Sequence, residues 1–115
     1  MAGQNTTIEA SLKNVTNIGN NVFKGTTFVS DISIPAGATV GSNAFENAKL
    51  KKVSYNAEAA SYAAFKGATM DSLILGDNTK KIDSFAFQSS KIGGDVLKLG
   101  KVETIEKYAF QYATL

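Results

Sequence analysis

Five phenylalanines recur along this 115-residue chain at nearly constant spacing, and they restrict its fold more than any other feature. They are Phe23, Phe45, Phe65, Phe87 and Phe110, with gaps of 22, 20, 22 and 23 residues. A period of this length is typical of a solenoid, in which each unit buries its apolar face only by stacking on its neighbours. The spacing therefore predicts one domain over residues 1–115, built as a stack of repeats that the phenylalanines mark.

Each phenylalanine is flanked by apolar anchors at fixed distances. Five residues before it stand Ile18, Val40, Ala60, Ile82 and Ile105. Five residues after it stand Phe28, Leu50, Met70, Ile92 and Leu115. The residue directly before it is small in four of the five repeats, which allows the backbones of stacked units to approach while the ring fills the interior. The phenylalanines are therefore predicted to form an inward column.

A short alternating segment follows each anchor pair and predicts a strand. These segments are residues 32–34, 53–55, 73–75 and 97–99, in which apolar residues alternate with variable ones before a Pro, Asn or Gly. Around each phenylalanine, Gly25, Asn47 and Gly67 suit a left-handed stop, which predicts a single helical or 3₁₀ turn. The expected fold is an α/β repeat solenoid, mostly β. It is a right-handed stack with one short parallel strand and one helical or 3₁₀ turn per repeat of about 22 residues.

Two irregularities have predictable consequences. The third repeat is the shortest and has Ala60 where its neighbours have larger anchors, so we expect the weakest packing there. The fourth repeat has two extra residues, Gly93 and Gly94, which predict a bulge or a loosened loop before its strand.

Composition excludes several classes of function. All 12 basic residues are lysine, and the absence of arginine argues against a nucleic-acid partner. The chain has no Cys and no His, which removes thiolate metal sites and the commonest general base. The spacing of Asp71, Asp77 and Asp83 does not fit a calcium loop. We therefore expect no enzyme activity, no metal and no cofactor. The apolar runs are too short for a transmembrane helix, so no membrane insertion is expected.

The repeat resembles the BspA-like leucine-rich repeat, a class found on bacterial cell surfaces and in some protists. The likeness is carried by Ile18-Gly19-Asn20-Asn21-Val22-Phe23-Lys24-Gly25, Val40-Gly41-Ser42-Asn43-Ala44-Phe45 and Ile105-Glu106-Lys107-Tyr108-Ala109-Phe110. It extends over Ile32-Ser33-Ile34-Pro35 and covers nearly everything from Val15 to Leu115. The resemblance implies a curved solenoid used for binding or adhesion, on a cell surface or secreted, with no catalytic residues.

The outward residues of the predicted strands are the candidate binding face, because this sheet face is the usual binding surface of leucine-rich repeats. They are Ser33, Ser54, Ile74 and Lys98, widened by Asp31, Lys52, Ser72 and Val96. The functional interpretation is a shallow surface for a protein or a glycan, and the alternative is a sheet that is merely solvated. A second column follows each phenylalanine and runs Lys24, Glu46, Lys66, Gln88, Gln111, which indicates exposed ion pairs between repeats.

Three aromatic residues occupy repeat positions that Asn or Gly fills earlier in the chain: Phe85, Tyr108 and Tyr112. Together with Ile8 and Leu12 they are candidates for an interface or for a cap over the end of the stack. The chain begins with a predicted strand over residues 8–12 and stops at an anchor, Leu115. Three explanations stay open: a fragment of a longer array, locally capped ends, or head-to-tail association of a homo-oligomer.

The sequence leaves compartment and modification open. Residues 1–5 contain no signal-peptide pattern, so the protein is either cytoplasmic or has lost such a peptide. Asn5 and Asn14 each begin a glycosylation sequon, a pattern that also arises by chance in a sequence rich in Asn and Thr.

Overall fold

The computed structural model describes the backbone of residues 7–8 and, with side chains, residues 12, 14–94 and 97–115. In this part of the chain the regular structure consists of short β-strands, and neither an α-helix nor a 3₁₀-helix is found there. The strands are β1 (Thr7–Ile8), β2 (Asn17–Ile18), β3 (Thr27–Phe28), β4 (Ile32–Ile34), β5 (Thr39–Val40), β6 (Lys49–Tyr55), β7 (Ala59–Ala60), β8 (Thr69–Leu75), β9 (Lys81–Ile82), β10 (Lys91–Ile92) and β11 (Thr104–Ile105).

All the strand pairs are parallel, and each joins one repeat to the next. The largest sheet has the order β1-β3-β6-β8-β10, with β4 also paired to β6. Two smaller sheets, β7-β9-β11 and β2-β5, run along another side of the stack. Because each repeat supplies strand segments on more than one side, the chain forms a mostly β, parallel solenoid.

The phenylalanine column fills the interior, as the spacing predicts. Successive rings from Phe23 to Phe110 stack with centroids 5.3, 5.0, 5.2 and 5.2 Å apart. The rings of the three middle repeats are fully buried, and the anchors Phe28, Leu50 and Met70 line the same core.

The turn around each phenylalanine is not the helical or 3₁₀ turn expected from the sequence. In the second repeat, residues 42–47 form successive tight turns, with positive φ at Asn43 (60°) and Asn47 (59°). The N–H of Phe45 donates to Ala64 O at 2.7 Å, in the next repeat, while the N–H of Ala48 donates back to Phe45 O at 3.0 Å. Alternate N–H groups are thus used between repeats. Because these N–H groups are not available for hydrogen bonds within a helix, the segment forms tight turns and not the expected helical or 3₁₀ turn.

The strand expected over residues 97–99 does not form. The ladder between β10 and β8 ends where the N–H of Gly93 donates to Met70 O at 2.9 Å, and a bend at Gly94 follows. The two extra residues therefore take the fourth repeat out of register after Ile92, in agreement with the loosened loop that they predict.

At the short third repeat, Ala60 is fully buried, but β5 and β7 are not paired. The side chain of Ser61 bridges the gap, because its Oγ donates to Val40 O in the preceding repeat. The third repeat thus interrupts the backbone ladder between the two smaller sheets, and the expected weak packing at Ala60 stays a prediction. The Ser61 hydroxyl donates in place of a backbone N–H, so Val40 O still has a hydrogen-bond partner.

Candidate binding surface

The predicted outer row of the sheet forms across three repeats. Ser33 is in register with Ser54 in β6, and Ser54 with Ile74 in β8. The two serines are partly exposed, whereas Ile74 is 61% exposed, which is high for an isoleucine on a parallel sheet. An apolar side chain held outward by a rigid sheet is a suitable anchor for a partner surface.

A second row of predicted residues lies beside the first. Lys52 is in register with Ser72, and Asp31 Oδ1 accepts a hydrogen bond from the Lys52 backbone N–H at 3.3 Å. Asp31 therefore belongs to the same surface, although it comes just before β4. The structure thus brings together six of the eight predicted face residues: Asp31, Ser33, Lys52, Ser54, Ser72 and Ile74.

The remaining two predicted face residues are Lys98 and Val96, of which the structure describes Lys98. Lys98 is exposed, but it lies in the segment that forms no strand, so it does not continue the row beyond Ile74. Val96 lies outside the described residues.

The longest continuous column on the sheet was missed at the sequence level. It contains the outward residue four positions after each phenylalanine, aligned Thr27↔Lys49↔Thr69↔Lys91↔Thr114. We call these five residues the axial column. Their regular Thr and Lys pattern is visible in the sequence. The column was missed because the predicted strands begin four to six residues after its members.

The axial column lies within a lysine-rich part of the sheet. Its Lys49 and Lys91 are exposed, as are Lys51 and Lys52 on β6. Within the described part of the chain, none of these four ammonium groups has a carboxylate oxygen within 4.0 Å. Among the described residues, Asp31 and Asp71 are the acidic residues that adjoin these lysines, so the lysines outnumber them four to two.

Ion pairs occur on other sides of the solenoid. Lys24 Nζ lies 3.6 Å from Glu46 Oε1, which forms one step of the predicted charge column. Gln88 Nε2 donates to Gln111 Oε1 at 2.7 Å in the same column. Lys81 Nζ lies 3.3 Å from Asp83 Oδ1 and 3.7 Å from Glu106 Oε2, and the hydrogen bond to Asp83 raises the pKa of this exposed lysine.

The predicted aromatic group is divided in the structure. Phe85 and Tyr108 stack with centroids 5.4 Å apart, and Tyr62, which sequence reasoning missed, meets Phe85 edge-on at 5.6 Å. We call these three residues the aromatic row. Tyr112 is 79% exposed and has no ring contact with another described aromatic residue.

The aromatic positions have an unusual backbone. Phe85, Tyr108 and Tyr112 have φ between 61° and 64°, in the left-handed region that Asn and Gly occupy in other repeats. A bulky residue there costs about 1–2 kcal/mol. Of the predicted cap residues, Leu12 is partly buried against the core, which fits a covering role. The side chain of Ile8 lies outside the described residues.

A groove is present at the corner that follows the long strands. It has a volume of about 340 Å³ and is lined by Ala36, Gly37, Asn56, Glu58, Asn78 and Lys80. In the described part of the chain, no three acidic, His or Cys side chains come together as metal ligands would. Within the same residues, no helix is long and apolar enough to cross a membrane.

Comparison with known proteins gives a family match. The model of the BspA type leucine rich repeat region matches residues 3–115 in six copies. Neither the curated proteins nor the solved structures contain a significant match to this chain. The six matched copies span nearly the whole chain and include the repeats that the five phenylalanines mark.

Proposed function

The chain belongs to the BspA-type leucine-rich repeat family, and we propose that it is a non-catalytic interaction or adhesion module that binds a protein or a glycan through its parallel strand face. The family supports a role in interaction or adhesion, and BspA-type repeats are typically found on cell-surface proteins. A place on the cell surface or outside the cell is therefore part of the proposal.

The observation that carries the proposal is the exposed row Ser33–Ser54–Ile74 on in-register strands. Each long strand buries its inward residues, such as Val53 and Tyr55, in the core, so the outward side chains stand on a rigid base. A preorganised surface loses little conformational entropy when a partner binds. The exposed Ile74 supplies an apolar centre, and the serines and Lys52 supply a polar rim.

The test is a binding screen with two forms of the protein. The labelled chain is applied to immobilised extracellular-matrix proteins and to a glycan array, beside the variant Ile74→Glu. We expect at least one partner that binds the native chain and loses most of its affinity for the variant, because a charge at the centre of the face must be desolvated without a partner. Undiminished binding of every detected partner to Ile74→Glu would reject the strand face.

Self-association is a second candidate function, and a specific observation favours it. In all four earlier repeats the residues equivalent to Phe110 and Tyr112 donate their N–H groups to the next repeat, as Phe87 does to Ala109 O at 2.8 Å, and the residue equivalent to Tyr108 does so in the first three. Among the described residues, these three N–H groups have no backbone acceptor. Ile105 and Leu115 of the same repeat are 47% and 66% exposed.

A second copy stacked on this end would supply the missing acceptors and cover the apolar side chains. Further repeats of a longer chain would do the same. Solution mass measured by light scattering over a hundredfold concentration range tests association of this chain, with Ile105→Lys as the matched variant. Concentration-dependent growth that Ile105→Lys abolishes supports the alternative. A constant monomer rejects it.

A further inference from the structure

We propose that the axial column, Thr27, Lys49, Thr69, Lys91 and Thr114, is a binding track for an anionic polysaccharide that lies along the solenoid axis. The inference rests on the proposed binding role of the strand face and names the class of its partner. Three features support this inference: the register of the column, its charge, and the types of side chain that are present in it and absent from it.

The register makes the column straight and continuous. Each member pairs with the next through a parallel ladder or bridge, without interruption from Thr27 to Thr114. Neighbouring strands lie about 4.8 Å apart, so the column is roughly 19 Å long and the Cα atoms of Lys49 and Lys91 are roughly 10 Å apart. A linear polymer with regularly spaced charges can therefore contact both lysines and the threonines between and beside them.

The charge of the surface fits an anionic ligand. Lys49 and Lys91 stand on the column, and Lys51 and Lys52 stand beside it on β6; all four are exposed and without a carboxylate within 4.0 Å among the described residues. Asp31 Oδ1 accepts a hydrogen bond from the backbone N–H of Lys52, and Asp71 is the other acidic residue beside these lysines in the described part of the chain. A lysine ammonium is a point charge on a flexible stem, and it can donate hydrogen bonds to sulfate or carboxylate in many orientations.

The other members of the column favour a polysaccharide over a nucleic acid or an acidic protein. The threonines present hydroxyl groups, which can donate to and accept from sugar hydroxyls. The column has no aromatic side chain on which a base could stack and no arginine for bidentate phosphate contacts. It also has no exposed apolar side chain of its own, whereas protein partners depend on desolvated apolar or aromatic anchors.

The decisive variant copies the protein's own repeats. Lys49→Thr with Lys91→Thr gives these two repeats the residue that Thr27, Thr69 and Thr114 already place in the same column, so the fold has a precedent for both changes. The control removes the same charge elsewhere. Lys66→Gln with Lys107→Ser introduces the residues found at the equivalent positions Gln88 and Ser84.

The probes are heparin, polygalacturonate, neutral dextran and poly-L-glutamate, measured by calorimetry at low and physiological salt. We expect heparin or polygalacturonate to bind more tightly than poly-L-glutamate, and dextran not to bind. The Lys49→Thr, Lys91→Thr double variant should lose at least about tenfold in affinity and part of the salt dependence, whereas the control changes less than about twofold. Comparison of the two acidic polysaccharides shows whether sulfate or carboxylate is preferred.

Three results would overturn the inference: no binding of either acidic polysaccharide at low salt, equal losses in both double variants, or tighter binding of poly-L-glutamate. The outcome is separable from that of the proposed function. If one of these three results is found and a protein partner still depends on Ile74, the binding face is retained and only the polysaccharide is rejected.

Discussion

The rings of Phe45 and Phe65 lie face to face, with their centroids 5.0 Å apart and their planes 2° from parallel. Both side chains are fully buried. This contact repeats along the column and couples each repeat to the next, so that the core is a continuous stack of rings. The outward residues gain their alignment from the same stacking, because the register that superimposes the rings also superimposes Ser54 and Ile74.

Truncation of the column should be severely destabilising. Phe65→Ala removes a fully buried ring that contacts Phe45, Phe87 and Tyr55, so it is expected to cost about 3–5 kcal/mol of unfolding free energy. Urea melts of Phe65→Ala and of the neighbouring variant Lys66→Ala measure the difference. Equal stability of the two variants would contradict the inward column.

Two buried threonines should respond oppositely to the same substitution. Thr26 and Thr79 are both fully buried, but Thr26 Oγ1 has no hydrogen-bond partner among the described residues, whereas Thr79 Oγ1 donates to Ala57 O at 2.6 Å. Thr26→Val should therefore stabilise the protein by about 1 kcal/mol, and Thr79→Val should destabilise it by about 1–3 kcal/mol. Thermal unfolding of the native chain and of both variants measures these two changes in stability. A loss of stability in Thr26→Val as large as in Thr79→Val would show that the Thr26 hydroxyl is satisfied.

Two glycines at the same position of the repeat should differ because of their neighbours. A Cβ on Gly41 would lie 2.6 Å from Asn20 N and 2.7 Å from Gly19 C, both backbone atoms of the preceding repeat. Among the described residues, a Cβ on Gly19 would meet only Val22 Cγ2, at 3.2 Å. Gly41→Ala should thus cost about 1–3 kcal/mol and Gly19→Ala clearly less. Denaturant midpoints compare them, and a larger loss for Gly19→Ala would argue against the close approach of the backbones.

Stability should decline at alkaline pH because of Tyr55. Burial, and to a smaller extent the charge of Asp83, raise the pKa of the Tyr55 hydroxyl, which donates to Ala59 O at 2.6 Å. The folded state favours the neutral phenol, so the stabilising contribution of Tyr55 is complete below the pKa of about 10 that tyrosine has in the unfolded chain. As pH rises above that value, the free energy of unfolding falls by about 1.4 kcal/mol per pH unit.

Unfolding free energies of the native chain and of Tyr55→Phe between pH 9 and 11.5 test this. Tyr55→Phe should be less stable at pH 9, because Ala59 O loses its donor, but should lose less stability on going to pH 11.5. Tyr62→Phe, at an exposed site, should follow the native curve. Parallel curves for all three proteins would show that Tyr55 does not ionise on unfolding in this range.

The repeat spacing was sufficient to predict the core, the parallel stacking and three segments that lie within strands, because each depends on which residues recur at a fixed period. The turn conformation depends on hydrogen bonds between repeats, such as Phe45 N–H to Ala64 O, which a local reading of residues 42–47 does not contain. The loss of the strand at residues 97–99 has a similar origin. The alternation of Leu97 and Leu99 favours a strand, but the insertion at Gly93 and Gly94 removes it from register with β8.

Part of the candidate site was also predictable. The alignment of Ser33, Ser54 and Ile74 follows from the repeat, since equivalent positions in stacked units must be neighbours. The axial column was missed because Lys49 and Thr69 come directly after the turn, in residues that the sequence assigned to the approach to the strand. Tyr62 was missed because its contact with Phe85 joins two different positions of the repeat.

The most direct test of the strand-face proposal compares equal charges placed on two surfaces. Ile74→Glu changes the strand face, and Tyr62→Glu changes the aromatic row; the two side chains are 61% and 51% exposed. Each variant is titrated against a partner found with the native chain, after circular dichroism has shown that both are folded. The account predicts a large loss of affinity for Ile74→Glu and nearly native affinity for Tyr62→Glu. Native affinity of Ile74→Glu together with a loss in Tyr62→Glu would contradict it and place binding on the aromatic row.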